Sequence, residues 1–127
     1  DAPSPVDHAY IMLPTEHVMA AARDCVSAGV RCMTIMSNGF AEAGEAGQER
    51  QAQLLELLEG TGTRLLGPNA LGVVDLHAKV ALSANEVLSL PELPVGDIGL
   101  ISQSGSMLGA ILSRGAARGV GFSKLVS

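Results

Sequence analysis

Short apolar segments alternate with longer amphipathic segments through the first half of the chain. Residues 7–13, 31–36 and 63–66 are short, mainly apolar runs, each bounded by Gly, Pro or Asn within two positions. The segments between them carry apolar residues at helical spacing. Strands and helices that alternate in this way form βαβ units, which build a parallel sheet through right-handed crossovers. The sequence therefore predicts an α/β fold.

Two helices are predicted between these strands. The first runs from Thr15, a suitable N-cap residue, to about residue 28, and Gly29 ends it. The second covers about residues 48–58, with leucines on one side and charged residues on the other, and Gly60 caps it. Aromatic residues make up only 2% of the chain. The core must therefore be aliphatic, as is typical of strands buried between helices.

The pattern changes in the second half of the chain. Residues 73–96 contain short extended pieces and two closely spaced prolines in the segment LPELP at 90–94, which is typical of a connection between domains. A new βαβ unit follows, with a strand from Asp97, a serine-rich loop, a helix at about 107–118 and a strand with the sequence FSKLV. We therefore expect a partial first domain in residues 1–90, a linker in 91–96 and the start of a second domain in 97–127.

The charge balance limits the classes of function. The chain has a formal net charge of −5, no basic cluster and few aromatic residues, so nucleic-acid binding is not expected. Its apolar runs are too short to cross a bilayer, and residues 1–5 lack the basic and apolar parts of a signal peptide. Cys25 and Cys32 lack metal-ligand spacing and are expected to be buried, reduced thiols. These features predict a cytoplasmic protein without a metal or a membrane partner.

Ligands of parallel α/β sheets bind at the carboxyl ends of the strands, where four loops of this chain are predicted. The loop at 103–106 joins a strand to a helix through serines and Gly105. Its hydroxyls and helix amides could hold an anion, or Ser104 could be an ordinary N-cap, and the residues alone support both equally. The turn GPNALG at 67–72 is favoured as structural, although Asn69 could contact a ligand.

Other polar features have ordinary interpretations. Residues 37–39 could present amides to a ligand or form a simple turn. The glutamates at 42, 45 and 49 are expected to form a solvated, acidic approach to the second helix. The three histidines share no helical spacing and no paired carboxylate, so none is expected to be catalytic.

Ser104 also resembles the nucleophile of a serine hydrolase elbow. The elbow normally has Gly where Ser102 stands, and its acid and His come later in the chain than the nucleophile. Both partners would have to lie beyond residue 127, so this interpretation is disfavoured.

Five stretches together carry a family resemblance. They are the strand ending in Leu13-Pro14, SNGFAE at 37–42, LLGPNALG at 65–72, GLISQSGS at 99–106 and GVGFSKLVS at 119–127. In this order and spacing they resemble the NDP-forming acyl-CoA synthetases, whose relatives include the succinyl-CoA synthetase alpha subunit. The resemblance implies a Rossmann-like CoA-binding domain followed by the first βαβ unit of a flavodoxin-like domain.

The resemblance also implies roles for individual residues. The family's CoA-facing loops match Pro14, Ser37, Asn38, Gly39, Asn69 and Ala70. The loop at Gln103, Ser104, Gly105 and Ser106 matches one that opens a helix whose amino end holds the phosphate of a phosphohistidine, which favours the anion interpretation. The family's first glycine loop and its phosphorylated histidine have no match in this sequence. We therefore expect no catalytic residue in the chain.

The implied function is that of the CoA-binding part of an acyl-CoA synthetase. Such enzymes interconvert acyl-CoA, phosphate and ADP or GDP with acid, CoA and ATP or GTP through acyl phosphate and phosphohistidine. This chain alone would not be catalytically competent. The implied partners are CoA or acyl-CoA and an ATP-grasp domain or subunit that carries the Mg-nucleotide, within an oligomer. The alternative is a non-catalytic CoA-binding module fused to an acetyltransferase or a regulatory protein.

Overall fold

A computed structural model of the chain describes residues 5–90 and 92–127. Its contacts form two compact units, which divide between Ala70 and Leu71. None of the helices in the described residues has the length and apolar character that crossing a membrane requires.

The first unit is a three-stranded parallel sheet with two helices. The strand order is β1-β2-β3, with Ala9 opposite Met33 and Met33 opposite Leu65. The predicted α/β fold with a parallel sheet is confirmed. Its elements are β1 (His8–Ile11), α1 (Thr15–Ser27), β2 (Cys32–Ile35), a short 3₁₀ helix (Ala41–Ala43), α2 (Glu45–Leu58) and β3 (Arg64–Leu66).

The core of the first unit is mainly aliphatic, as the composition predicts. Residues of the strands meet the apolar faces of both helices, and one aromatic ring, that of Phe40, is fully buried among them. The ring enters from the loop after β2, so burying it also restrains that loop. The fully or nearly buried members of this core are Ile11, Val18, Ala22, Met33, Ile35, Phe40 and Leu54.

The ends of α1 confirm one prediction and correct another. Gly29 follows the helix with a φ of +70°, and the Val30 amide donates to the Cys25 carbonyl at 3.0 Å, as expected for a Schellman ending. The predicted N-cap was wrong, because Pro14 holds the cap position and no side chain caps the helix. The Thr15 hydroxyl donates instead to the carbonyl of Asn38, at 2.9 Å.

Helix α2 begins three residues earlier than predicted, at Glu45 instead of Gln48. The sequence predicts Gly47 as a loop residue, but in the structure it lies in the first turn of α2 and packs directly against the preceding segment. A Cβ atom at Gly47 would lie 1.8 Å from the Phe40 carbonyl oxygen. Only glycine allows this close approach, so the first turn of α2 depends on a residue of poor helix propensity.

The second unit contains a four-stranded mixed sheet and one long helix. The strand order is β5-β4-β7-β6, in which β6 and β7 are parallel and β4 is antiparallel to both β5 and β7. The predicted strand–helix–strand unit is confirmed, with its helix two residues earlier than expected. The elements are β4 (Gly72–Asp75), β5 (Val80–Ser83), a 3₁₀ helix (Glu86–Ser89), β6 (Val95–Ile101), α3 (Gly105–Ala116) and β7 (Phe122–Val126).

Residues 71–90 group with the second unit because β4 is hydrogen-bonded to β7, with Val74 opposite Leu125. Local periodicity does not reveal such a pairing, since the partner strand lies about fifty residues away in the sequence. The division between Ala70 and Leu71 follows from contacts, whereas the predicted domain boundaries follow from sequence motifs. The division into residues 1–90, 91–96 and 97–127 therefore stays a prediction.

Candidate functional site

Three loops follow the strands of the first unit at one edge of its sheet. Because β1, β2 and β3 are parallel, their carboxyl ends meet at the same edge, which is where ligands bind in this fold class. The loops are Leu13–Thr15, Ser37–Gly39 and Gly67–Ala70. We call the second of these the central loop, because β2 lies between the other two strands.

The central loop is hydrogen-bonded to both neighbouring loops. The Ser37 carbonyl accepts from the Asn69 amide at 3.0 Å, and the Ser37 hydroxyl donates to the Leu13 carbonyl at 2.5 Å. The Asn38 carbonyl accepts from Thr15, as described above. The sequence places these three loops at one edge, and the structure shows that they also restrain one another.

A second set of contacts holds the central loop from the side of α2. The Glu42 carboxylate accepts from the Gly39 amide at 2.6 Å and from the Phe40 amide at 3.3 Å. Arg50 donates to the Gly39 carbonyl, and Gln51 Oε1 accepts from the Ala41 amide at 3.3 Å. Glu42 is exposed, as predicted, but it is more than a solvated charge because it binds loop amides.

Two glycines at this edge could not carry a side chain without strain. Gly39 has a φ of +84°, and a Cβ atom there would lie 3.1 Å from both Cγ2 and Oγ1 of Thr15. Gly67 has a φ of +97°, and a Cβ atom would lie 2.4 Å from the Ile35 carbonyl oxygen. The loops can therefore approach one another closely only because of these residues.

The two asparagines at the edge are exposed. Neither the Asn38 nor the Asn69 side chain makes a hydrogen bond to any other described residue. Asn69 has a φ of +58°, a conformation that asparagine tolerates better than most residues. Its neighbour Ala70 is buried, and the Ala70 amide donates to the Ile35 carbonyl at 3.2 Å. Two amide side chains are thus available to an external polar group.

The start of α3 in the second unit is capped by serine. The Ser104 hydroxyl accepts from the Met107 amide at 3.3 Å, and the Ser102 hydroxyl donates to the Ser104 carbonyl at 2.9 Å. The N-cap interpretation of Ser104 is confirmed. The amides of Gly105 and Ser106 have no partner among the residues that the structure describes, and Gln103 is exposed. The anion interpretation stays a prediction.

A cleft of about 540 Å³ lies beside α3 within the second unit. Gly105, Ser106 and Gly109 line it on the helix side, and residues 84–87, 89 and 90 line the opposite side. Asn85 connects the two sides, because its Nδ2 donates to the Gly105 carbonyl at 3.0 Å. Sequence reasoning missed this residue, although an Asn directly before a helical turn is a common capping signal.

Nothing in the described residues supports a hydrolase or a metal site. No histidine is hydrogen-bonded to Ser104 there, and the ring of the exposed His77 is hydrogen-bonded to the carbonyl of Gly96 at 3.0 Å. No group of three His, Cys, Asp or Glu side chains within 5–90 and 92–127 could hold a metal ion. Among the residues that the structure describes, the Ser104 hydroxyl has no neighbouring base of the kind that activates a serine nucleophile.

Two family models match this chain. A model described as a CoA binding domain matches residues 1–75, and one described as the succinyl-CoA ligase like flavodoxin domain matches residues 95–127. The chain belongs to the CoA-binding domain family. The predicted resemblance and the predicted order of the two folds are confirmed.

Curated relatives of this CoA-binding chain are ADP-forming CoA ligases. It is 38% identical to acetate–CoA ligase (ADP-forming) I of Archaeoglobus fulgidus, and the match covers 98% of this chain and 18% of that protein. It is 36% identical to the alpha subunit of acetate–CoA ligase (ADP-forming) I of Pyrococcus furiosus, covering 100% and 27%. The 4-hydroxybutyrate–CoA ligase (ADP-forming) of Nitrosopumilus maritimus is 31% identical, covering 100% and 18%. The chain thus spans about a fifth to a quarter of these relatives.

A solved structure agrees with this result. The acetyl-coenzyme A synthetase 1 of Ca. Korarchaeum cryptofilum, in complex with phosphate and ADP, superposes with a TM-score of 0.87 and 30% identity. The match covers 100% of this chain and 26% of that one.

Hydrogen bonds from backbone amides lower the pKa of the Glu42 carboxyl from its ordinary value of 4.5, with its own amide contributing most and those of Gly39 and Phe40 less. A group whose pKa is lower in the folded state stabilises the fold above its unfolded-state pKa. That contribution is lost as the pH falls through the folded-state pKa.

We therefore expect the substitution Glu42→Gln to lower the melting temperature at pH 7 and to have a smaller effect as the pH falls below about 4.5. Because the carboxylate is exposed, the loss at pH 7 should be below about 1 kcal/mol. Thermal unfolding of both variants from acid to neutral pH measures the difference. Glu49→Gln, on an exposed residue of α2 without a hydrogen bond in the described residues, is the matched control. An equal effect of both variants at every pH would contradict the assignment.

Proposed function

We propose that this chain is the CoA-binding part of an ADP-forming acyl-CoA ligase. The observation that carries the proposal is the edge of the first unit, where the central loop is hydrogen-bonded to both neighbouring loops and two exposed asparagines are presented, in a chain of the CoA-binding family. The ligase would interconvert acyl-CoA, phosphate and ADP with acid, CoA and ATP through an acyl phosphate and a phosphohistidine. The relatives described above are ADP-forming CoA ligases, which supports this reaction and does not favour a regulatory CoA-binding module.

In this proposal the first unit binds and orients CoA. Pro14, the central loop and the segment at Asn69 and Ala70 form the binding edge, and the asparagine side chains supply donors and acceptors for polar groups of the ligand. The chain is acidic and has no basic cluster. The anionic groups of CoA would therefore be held by backbone amides and amide side chains and not by a field of lysines.

The start of α3 would bind the phosphate group. The amides of Gly105 and Ser106, which have no partner among the described residues, lie where the positive end of the helix dipole favours an anion. The Ser104 hydroxyl accepts from Met107 and still has its own proton to donate, so capping and phosphate binding are compatible. Gln103 adds a neutral donor. These residues would stabilise charge without forming a covalent bond.

The remaining parts of the reaction belong to other segments of the ligase. The Mg-nucleotide would be bound by an ATP-grasp domain or subunit, and the enzyme would be an oligomer. One relative is named as an alpha subunit, which supports assembly from several chains. We place the protein in the cytoplasm, where the free cysteines Cys25 and Cys32 would stay reduced.

Titration of the full-length protein with CoA tests the proposed binding edge. We expect a dissociation constant below about 1 mM for the unchanged protein. Asn69→Gly should weaken binding by about 1–3 kcal/mol, because the variant removes the side-chain amide while keeping the left-handed backbone free of strain. Isothermal titration calorimetry measures both values.

Lys79→Gly is the matched control for this substitution. Lys79 has a φ of +55° and lies in the turn between β4 and β5, so the change relieves the same backbone conformation in the second unit. Its CoA affinity should equal that of the unchanged protein. If the unchanged protein does not bind CoA, the proposed function is wrong. If Asn69→Gly binds as tightly as Lys79→Gly, Asn69 is only a turn residue.

Substitutions of Ser104 separate its capping role from its proposed phosphate role. Ser104→Ala should cost α3 about 1 kcal/mol and slow phosphoryl transfer without abolishing it, since backbone amides remain. Ser104→Asp should restore the cap but place a negative charge at the phosphate, so stability should recover while transfer falls further. Melting temperatures and the rate of ATP formation from ADP give the two readouts. Recovery of both in Ser104→Asp, or a stable organophosphonate adduct on Ser104, would contradict the phosphate role.

A further inference from the structure

One peptide group of the central loop, between Gly39 and Phe40, lies between two side chains of opposite charge. Its carbonyl oxygen accepts a hydrogen bond from the Arg50 guanidinium, and its N–H donates to the Glu42 carboxylate at 3.3 Å. Glu42 also accepts from the N–H of the preceding peptide, that of Gly39, at 2.6 Å. A cation thus contacts the negative end of this peptide and an anion contacts its positive end.

This arrangement selects one orientation of the peptide. A peptide group has a dipole of about 3.5 D, so charges placed in this way stabilise it. Rotating the peptide by half a turn would bring the carbonyl oxygen toward Glu42 and the N–H toward Arg50, which reverses both interactions. Gly39 has a φ of +84° and tolerates several backbone conformations. The orientation must therefore be fixed from outside the glycine, and these two side chains provide that restraint.

The Arg50 side chain is itself held in place by the core. Its Cζ atom lies 5.8 Å from the centroid of the Phe40 ring, within the range of a cation–π interaction, and the ring is fully buried. The close approach of Gly47 to the Phe40 carbonyl, described above, brings α2 against the same segment. The restraint on the peptide is thereby connected to the rigid part of the unit, which is what accurate positioning requires.

We infer that Arg50 and Glu42 are positioning residues that fix the 39–40 peptide and thereby preorganise the central loop for CoA. The inference rests on the proposed function, because it takes CoA as the ligand of this loop. Neither side chain needs to contact the ligand. Their effect is to remove the conformational cost that a mobile glycine loop would add to binding.

CoA titration of the full-length protein tests this inference with three arginine variants. Arg50→Met keeps the apolar stem against Phe40 and removes the guanidinium, and it should raise the dissociation constant for CoA by about five- to tenfold. Arg50→Lys retains a donor for the Gly39 carbonyl and should recover part of the affinity. Arg64→Met is the matched control, since Arg64 begins β3 at the opposite edge of the sheet. It should bind CoA as the unchanged protein does.

Amide hydrogen exchange supplies the readout that distinguishes positioning from general stability. In Arg50→Met, exchange should speed up at residues 39–41, while the strands β1 and β2 keep their protection. Glu42→Ala should do the same, and it is expected to fold because the side chain is exposed. If Arg50→Met does not fold, Glu42→Ala decides the question alone.

The possible failures can be told apart. If the unchanged protein does not bind CoA, the proposed function fails and this inference fails with it. If the unchanged protein binds CoA and the folded Arg50→Met or Glu42→Ala variant binds equally well, the positioning role is overturned and the proposed function stands. Weaker binding with unchanged exchange at residues 39–41 would also overturn it, because the effect would then not act through the loop.

Discussion

The carbonyl groups of Ser37, Asn38 and Gly39 accept hydrogen bonds from three different parts of the first unit. Their donors belong to the loop after β3, to the first residue of α1 and to the middle of α2. Each carbonyl alone is an ordinary interaction worth about 1 kcal/mol. Together they tie the segment after the middle strand to every element around it. The exposed edge of the sheet is therefore fixed through its backbone carbonyls, and the side chains of Asn38 and Asn69 make no hydrogen bond to the other described residues.

The same constraint explains which parts of the structure the sequence could predict. The strands and helices follow from local periodicity, so β1, β2, β3 and α1 were predicted to within a few residues. The positions of the candidate loops follow as well, because parallel strands end at one edge. The contact of Thr15 with Asn38 could not be predicted in this way, since Thr15 is an equally good N-cap in isolation. Burial of Phe40 likewise depends on a helix that starts against it.

Non-local pairing accounts for the remaining differences. Residues 73–96 look like a connection because their extended pieces are short and lack a clear period. Here β4 pairs with β7, which lies far from it in the sequence, and β5 is joined to the sheet by pairing with β4. In the same way, Glu42 reads as one of several surface glutamates, although its carboxylate is bound by two loop amides. No property of Glu42 itself separates it from Glu45 and Glu49, so only the fold shows its role.

The two units provide for negative charge by different physical means. In the first unit the loop amides of Gly39 and Phe40 are already satisfied by an internal carboxylate. They cannot also bind a phosphate without displacing Glu42, so an anionic group of a ligand at that edge would have to be held by other donors, such as the side chains of Asn38 and Asn69. At the start of α3 the amides of Gly105 and Ser106 have no partner within the described chain, and no acidic residue lies in the first turn. An anion there would meet unsatisfied donors and the helix dipole together. In the proposed ligase, the first turn of α3 would therefore suit a phosphate, because its own residues place no carboxylate beside these amides.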